Sequence, residues 1–531
     1  MDIEITEKWA DRVFAVILAV AGFFCFYRLG YYSLWGDETW VAGSAISSIQ
    51  QIFAPDSYFP GNPFFILVLK GVVAIFGISE FTLRFVPALF YVLSVFVFYL
   101  LLKILTKKNH IVTLIATSLF ALNPTLIWFS HDLKQYTIEI FFTLLLFYLA
   151  EIYIRDRSDK NFAILFVSSI LAVLFSFPAV FIIPAIALRL AVDKYSKELK
   201  FFSRENFDRF KGVLLYVLVT AGIFLVYYFS ILQERAQKDR IVDYWTSSWS
   251  CMPTDYSLSY LVHFVYDSLF SFFQYLFYYS NFETWHYGVL FALFLIGVVY
   301  AFYKKEYILL GYGLVPIIIN IFASLVKKYP FCGARIDLYL TPFIFVFMAY
   351  ALYAGVLMFR FDEKLMRVLV VIFIVCASLS IILVHGQETL SLDQIRMDNI
   401  TQIYLDNYQE YSDHIYITSS WLLYPAYFEK GVFQNDVGGF DLEKIQSNPN
   451  VMLKFQFNGT AFVRSASSIP EEVDLVVQKT GEGNRLWVFF ETVDRADKIK
   501  SYLDFSDLLK EKCNLESSNT DVGVVLDLYQ C

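Results

Sequence analysis

Long apolar runs alternate with short polar turns over most of the chain. Segments 11–29, 85–103, 111–128, 137–154, 161–176, 179–192, 212–232, 289–303, 307–325, 337–358 and 367–385 are each long enough to cross a bilayer, or nearly so. One further apolar run, 63–77, is shorter and lies between Pro63 and Gly77. After residue 386 the pattern changes to polar sequence with short elements. Asp413 to Thr418 and Arg485 to Phe490 read as strands, and Leu422 to Glu429 as a helix. Arg495 to Lys512 reads as an amphipathic helix and Val522 to Leu528 as a last strand. The expected architecture is mainly α: a polytopic membrane domain, 1–385, then a small α/β domain, 386–531.

Basic residues orient the spans. Lys103/Lys107/Lys108, Arg155/Arg157/Lys160, the run from Lys194 to Lys211, Lys304/Lys305 and Arg360/Lys364/Arg367 fall in short connections. Cytoplasmic loops collect Lys and Arg. Placing all five groups inside, with Lys8 and Arg12, requires an odd number of crossings between residues 31 and 103. Segment 85–103 supplies one. Segment 63–77 is therefore read as a helix at the outer interface, as is 40–53. The expectation is about eleven crossings, with the N-terminus cytoplasmic and the C-terminal domain extracytoplasmic, in a cell membrane.

Composition agrees. Charged residues make up 17% of the 531 residues, against about 25% in soluble domains. The formal net charge of −8 gives no reason to expect a nucleic-acid partner. The first apolar run ends at Arg28 without a small-residue cleavage site, so it reads as a retained helix. Cys25 and Cys376 fall inside spans. Cys513 and Cys531 pair if the polar part faces an oxidising space, and are free thiols otherwise. Asn399-Ile-Thr and Asn458-Gly-Thr are glycosylation sequons, of weight only where the host modifies that compartment.

Candidate chemistry gathers in the outer loops. Asp37 and Glu38 sit side by side in Leu34-Trp-Gly-Asp-Glu-Thr-Trp40, just past the first span. An acidic pair at a bilayer surface needs water, a metal or a cation; a plain helix-capping turn is the ordinary alternative. Ser130-His-Asp-Leu-Lys-Gln-Tyr136 carries Lys134 and Tyr136, suited to phosphate or sugar, with His131 and Asp132 as acceptor or auxiliary groups. Tyr329-Pro-Phe-Cys-Gly-Ala-Arg335 brings a planar, permanently charged guanidinium to the outer end of a span. Lys238 and Arg240 lie in the aromatic-rich loop 233–288, which reads as an interfacial lid. These cations are on the side where the rule expects few, and an anionic substrate accounts for that. Sugar transfer from a lipid phosphate needs a base for the acceptor, cations for the leaving phosphate and a groove for the polyprenyl chain.

At these residues a family resemblance enters. Gly36-Asp37-Glu38, then Gly61-Asn62-Pro63, then Gly77-Ile-Ser-Glu-Phe-Thr-Leu-Arg84-Phe-Val-Pro87, resembles the membrane glycosyltransferases of the GT-C fold. Within it the sequence is most similar to the protein O-mannosyltransferase and aminoarabinose transferase group, to whose motifs Ser130–Tyr136 and Tyr329–Pro342 are also similar. The resemblance covers roughly residues 10–385 and implies an inverting transferase using a polyprenyl-phosphate-linked sugar. It implies Asp37 as base with Glu38 beside it, and Arg84, Lys134, Tyr136 and Arg335 on the donor phosphate or sugar. Asn62 stands where many members carry His or Lys, and Lys134 replaces a more usual Arg. A divalent metal is used by some members; the residues do not assign one here, nor the acceptor. The rival classes are a lipid or solute transporter or flippase, whose repeats and mid-span charges are not seen, and a non-catalytic scaffold, which leaves the acidic pair and the outer cations unexplained.

Overall fold

The computed structural model describes residues 5–31, 34, 36–54, 61–197, 204–236, 242–277, 283–358, 363–388, 413–417, 451–453, 468–491, 496–521 and 524–531. The expected helix at Leu422 to Glu429, both sequons, Lys238 and Arg240 lie outside these residues. The chain divides into two compact units. One comprises 1–27, 62–65 and 85–384; the other comprises 28–61, 66–84 and 385–531.

Helices α1 (Glu7–Phe26), α2 (Gly36–Ile46), α3 (Ile49–Phe53), α4 (Pro63–Phe76), α5 (Glu80–Leu105), α6 (His110–Ala121), α7 (Pro124–Ser130), α8 (Tyr136–Arg155), α9 (Asp159–Phe175), α10 (Ala179–Lys197) and α11 (Arg204–Tyr227) follow in order. A π-turn, Tyr228–Leu232, continues α11. Then come α12 (Leu258–Leu276), α13 (Thr284–Tyr303), α14 (Tyr307–Leu325), a 3-10 turn at Arg335–Leu340, α15 (Thr341–Met358) and α16 (Glu363–Glu388).

Among the described residues, seven helices are long and apolar enough to span a membrane, or eight if the pair α6–α7, bent by 54°, is one span. The chain is a multi-pass membrane protein. Of the expected crossings, 161–176, 179–192 and 367–385 form helices whose apolar stretches fall short of that length. Helix α4 has 14 residues, about 21 Å at 1.5 Å per residue and too short to cross upright. Its N-terminus is capped by Asn62, whose Oδ1 accepts from the Phe64 and Phe65 amides at 2.9 and 3.2 Å.

Backbones approach closely where side chains vanish. A Cβ on Gly297 of α13 would stand 1.7 Å from the Phe347 carbonyl of α15, the small-residue contact on which membrane helices pack. Buried charge is paired: Glu151 on α8 accepts from Arg189 and from the Tyr312 hydroxyl, both at 2.8 Å, as apolar surroundings demand.

In the other unit, strands β1 (Asp413–Ile417), β2 (Val451–Leu453), β3 (Arg485–Glu491), β4 (Asn514–Asp521) and β5 (Val524–Gln530) form a sheet in the order β2-β1-β3-β5-β4. β1 is parallel to β2 and β3, while β5 is antiparallel to β3 and β4. Helices α17 (Ile469–Thr480) and α18 (Ala496–Lys510) contribute Val473, Val476, Phe505 and Leu509 to one core with Tyr416, Leu486 and Val488. Cys513 and Cys531 form a disulfide. The α/β reading holds; β4, rich in Ser and Asn, carries too weak a strand pattern to be expected.

Candidate functional site

In the second unit, the acidic pair opens α2. Gly36 starts the helix and places Asp37 and Glu38 in its first turn, where carboxylates are favoured by the helix dipole. The Asp37 side chain lies outside the described part. Glu38 is 1% exposed and is gripped by Arg84, 6% exposed, at the start of α5. Arg84 Nε donates to Glu38 Oε1 at 2.8 Å, Nη2 donates to Oε2, and Nη1 donates to the Leu29 carbonyl at 3.4 Å. Two residues expected in separate roles, catalytic partner and donor contact, therefore meet each other. Bidentate pairing is the geometry in which guanidinium and carboxylate bind best. α2 is tied at its other end, where Lys70 Nζ donates to the Ser47 carbonyl at 2.9 Å. A capping box between Ser48 and Gln51 then starts α3.

In the first unit, the Ser130–Tyr136 turn and the Arg335 segment are built around α12. Asn123 caps α7 by accepting from the Leu126 amide, and its Nδ2 donates to the Leu276 carbonyl at the end of α12, both at 3.0 Å. Beyond α7 the chain turns tightly, with Asp132 and Lys134 largely buried. His131 Nε2 lies 3.0 Å from the Phe24 carbonyl and closes the end of α1. Tyr136 is buried edge-on against Phe129. The Tyr275 hydroxyl links the two segments. Burial pushes its pKa up, the Arg335 charge and a backbone hydrogen bond from Arg335 pull it down, and the Asp132 carboxylate raises it. The fold thus brings Asp132 and Arg335 to one tyrosine.

The Arg335 segment is held from three sides. Cys332 is disulfide-bonded to Cys251, across 81 residues. The Cys251 carbonyl accepts from the Phe331 amide and the Ser324 hydroxyl, both at 2.9 Å. Buried Asp337 accepts from the Cys332 and Gly333 amides at 3.1 Å and from Asn320 Nδ2 at 2.7 Å. Gly333 has φ +68°, and a Cβ there would stand 2.4 Å from the Phe272 amide of α12. Gly333→Ala is expected to cost about 2–4 kcal/mol from left-handed strain and overpacking together. Gly355→Ala, which meets nothing within 4 Å, should be nearly neutral; thermal midpoints of the two purified variants check the contrast.

Three of these features escaped sequence reading. The 233–288 segment, taken as a loop, contains the 19-residue helix α12; its period-3.6 alternation of Phe264, Ser268, Phe272 and Leu276 was the available signal. The Cys251–Cys332 bridge had no signal beyond two cysteines in connecting segments. Asn62, which stands where many members of the resembled group carry His or Lys, is a helix cap whose Nδ2 also donates to the Leu174 carbonyl at 3.0 Å. Among the described residues no group of three His, Cys, Asp or Glu side chains is arranged to hold a metal ion.

An apolar groove of about 500 Å³ runs along α11, lined by Phe64, Leu174, Val219, Gly222, Ile223 and Tyr227. Arg235, largely buried, lies at the end of the same span.

The architecture has known counterparts. ArnT from Cupriavidus metallidurans bound to undecaprenyl phosphate superposes with a TM-score of 0.55 at 12% identity, over 99% of this chain and 98% of that one. ArnT from the same organism in the apo state gives 0.51 at 12% identity, with 98% of each chain covered. This chain has the GT-C fold. Residues 60–228 of this GT-C chain match the family described as dolichyl-phosphate-mannose-protein mannosyltransferase. No curated protein is a close match to the sequence.

Proposed function

We propose that the protein is a glycosyltransferase that moves a sugar from a polyprenyl-phosphate donor to an acceptor hydroxyl, with inversion, on the extracytoplasmic face of the membrane. The observation that carries this reading is the GT-C fold over nearly the whole chain, shared with a structure holding undecaprenyl phosphate. The groove along α11 supports it, since a polyprenyl chain needs an apolar channel open to lipid. Two disulfides support the outward placement of their loops, because such bonds persist in oxidising compartments.

Asp37 is the base that takes the acceptor proton as the acceptor oxygen attacks the anomeric carbon. The bond from that carbon to the lipid phosphate oxygen breaks, and negative charge collects on the phosphate. Lys134 and Arg335 balance it, with Tyr136 and Asp132 in support. Glu38 and Arg84 hold the first turn of α2. Lys238 and Arg240 are further donor or acceptor contacts.

The test is incubation of the purified protein with a panel of radiolabelled polyprenyl-phosphate sugars. Release of lipid phosphate from one donor class is the expected result; release from none overturns the reading. Gly222 meets nothing within 4 Å, so Gly222→Trp places a ring in the groove. It should raise KM for a long-chain donor by about tenfold and leave a short-chain, water-soluble donor unchanged.

A further inference from the structure

A second cavity of about 500 Å³, with a mixed polar and aromatic lining, opens in the first unit beside the Arg335 segment. Its floor is one stripe of α12: His263, Asp267, Ser271 and Gln274. Steps of four, four and three residues put them on one helix face. Other faces of the helix are committed elsewhere: Phe272 packs on Phe331 with ring centroids 5.8 Å apart and Phe273 on Phe291 of α13 at 5.4 Å, which keeps the stripe turned to the cavity. Trp249, Tyr260 and Tyr275 stand round it. Cys332, Gly333 and Ala334 make the far wall, the same wall that the disulfide and Asp337 hold in place.

The lining chooses a ligand class. Among the described lining residues there is no Lys or Arg, and Asp267 supplies the formal charge. Among these described residues a phosphate would meet a carboxylate and no cation. Aromatic faces take the C–H faces of a sugar ring, while carboxylate, amide and hydroxyl side chains take its hydroxyls. An extended peptide would instead favour a sheet edge, and no described strand lines this cavity. The neighbour also matters: Ala334 borders Arg335, whose backbone bonds to Tyr275.

We propose that this cavity is the acceptor site and that the acceptor is a neutral carbohydrate, presenting a sugar hydroxyl beside the donor phosphate. The inference rests on the transferase reading above and names its acceptor. Ser271→Trp fills the cavity, and Asp267→Asn, isosteric at an exposed position, removes one strong acceptor.

The full chain in lipid nanodiscs is titrated with neutral di- and trisaccharides of glucose, mannose and N-acetylglucosamine, followed by saturation-transfer NMR. It is titrated separately with undecaprenyl phosphate. At least one saccharide should bind the unaltered protein saturably. Both variants should weaken that binding by about tenfold or more, the loss expected for a hydrogen bond to a charged group, while undecaprenyl phosphate binds as before. Equal loss of undecaprenyl phosphate in both variants would make the cavity part of the lipid site and overturn the proposal. So would binding of a Ser/Thr peptide here with no saccharide bound. If saccharides bind and no donor in the radiolabel panel is cleaved, the saccharide site stands and the transferase reading falls.

Discussion

Asp37→Asn is expected to lower sugar transfer by about 10²–10⁴-fold, the range for removing a general base. The substitution keeps size and shape and removes the ability to accept a proton. Donor binding should survive, because Asp37 is assigned to the acceptor step and the lipid phosphate to Lys134 and Arg335. The protein should also remain folded. The anchor of α2 is the neighbouring Glu38, held by Arg84 through two hydrogen bonds, and this is untouched. Transfer rate and undecaprenyl-phosphate affinity, measured on the same preparation, separate the two effects. A variant that keeps more than about a tenth of the rate removes Asp37 from the base role.

Breaking the Glu38–Arg84 pair should have the largest effect on stability. Both side chains are buried, so Glu38→Ala or Arg84→Ala leaves a partner charge without its counterion. The expected cost is about 3–5 kcal/mol, read as a fall in thermal midpoint and in the yield of inserted protein. The double variant Glu38→Met/Arg84→Met removes both charges and should recover most of that loss, because a well-packed apolar pair replaces a buried ion pair at little cost. The recovered protein then reports on function. If Arg84 acts only on Glu38, the double variant binds undecaprenyl phosphate as well as the unaltered chain does. A loss of lipid affinity at restored stability would return Arg84 to the donor phosphate. Arg84→Lys should not substitute, since an ammonium cannot reproduce the two-pronged contact.

Much of the fold was legible along the chain, for a physical reason in each case. Apolar length marks a membrane helix because no water reaches its backbone, so α1, α5, α8, α13, α14 and α15 appear where the pattern puts them. Gly77, at φ +79°, ends α4 as a glycine should. Strands β1, β3 and β5 alternate or bury whole apolar runs, and were readable as such. The amphipathic α12 was not, because the aromatic residues of its apolar face resemble a membrane-interface loop until the helix is built. The expected crossings 161–176 and 179–192 form helices α9 and α10, whose apolar stretches are shorter than those of the seven long spans.

The candidate site divides the same way. Arg335, Lys134 and the Asp37-Glu38 pair stood out because a charge beside an apolar span is costly and calls for a reason. Their partners did not. Nothing in the sequence ties Glu38 to Arg84, Cys251 to Cys332, or Asp337 to the Cys332 and Gly333 amides, because these contacts join positions that are distant or carry no pattern.

By itself the sequence determined that this is a multi-pass membrane protein with a small α/β domain, because hydropathy acts locally and leaves a periodic mark. The tertiary structure alone decided that Arg84 holds Glu38, that a disulfide and a buried aspartate pin the Arg335 loop, and that a cavity with a polar helix stripe opens beside it. Such pairings depend on which surfaces meet after packing, and packing leaves no period in the chain.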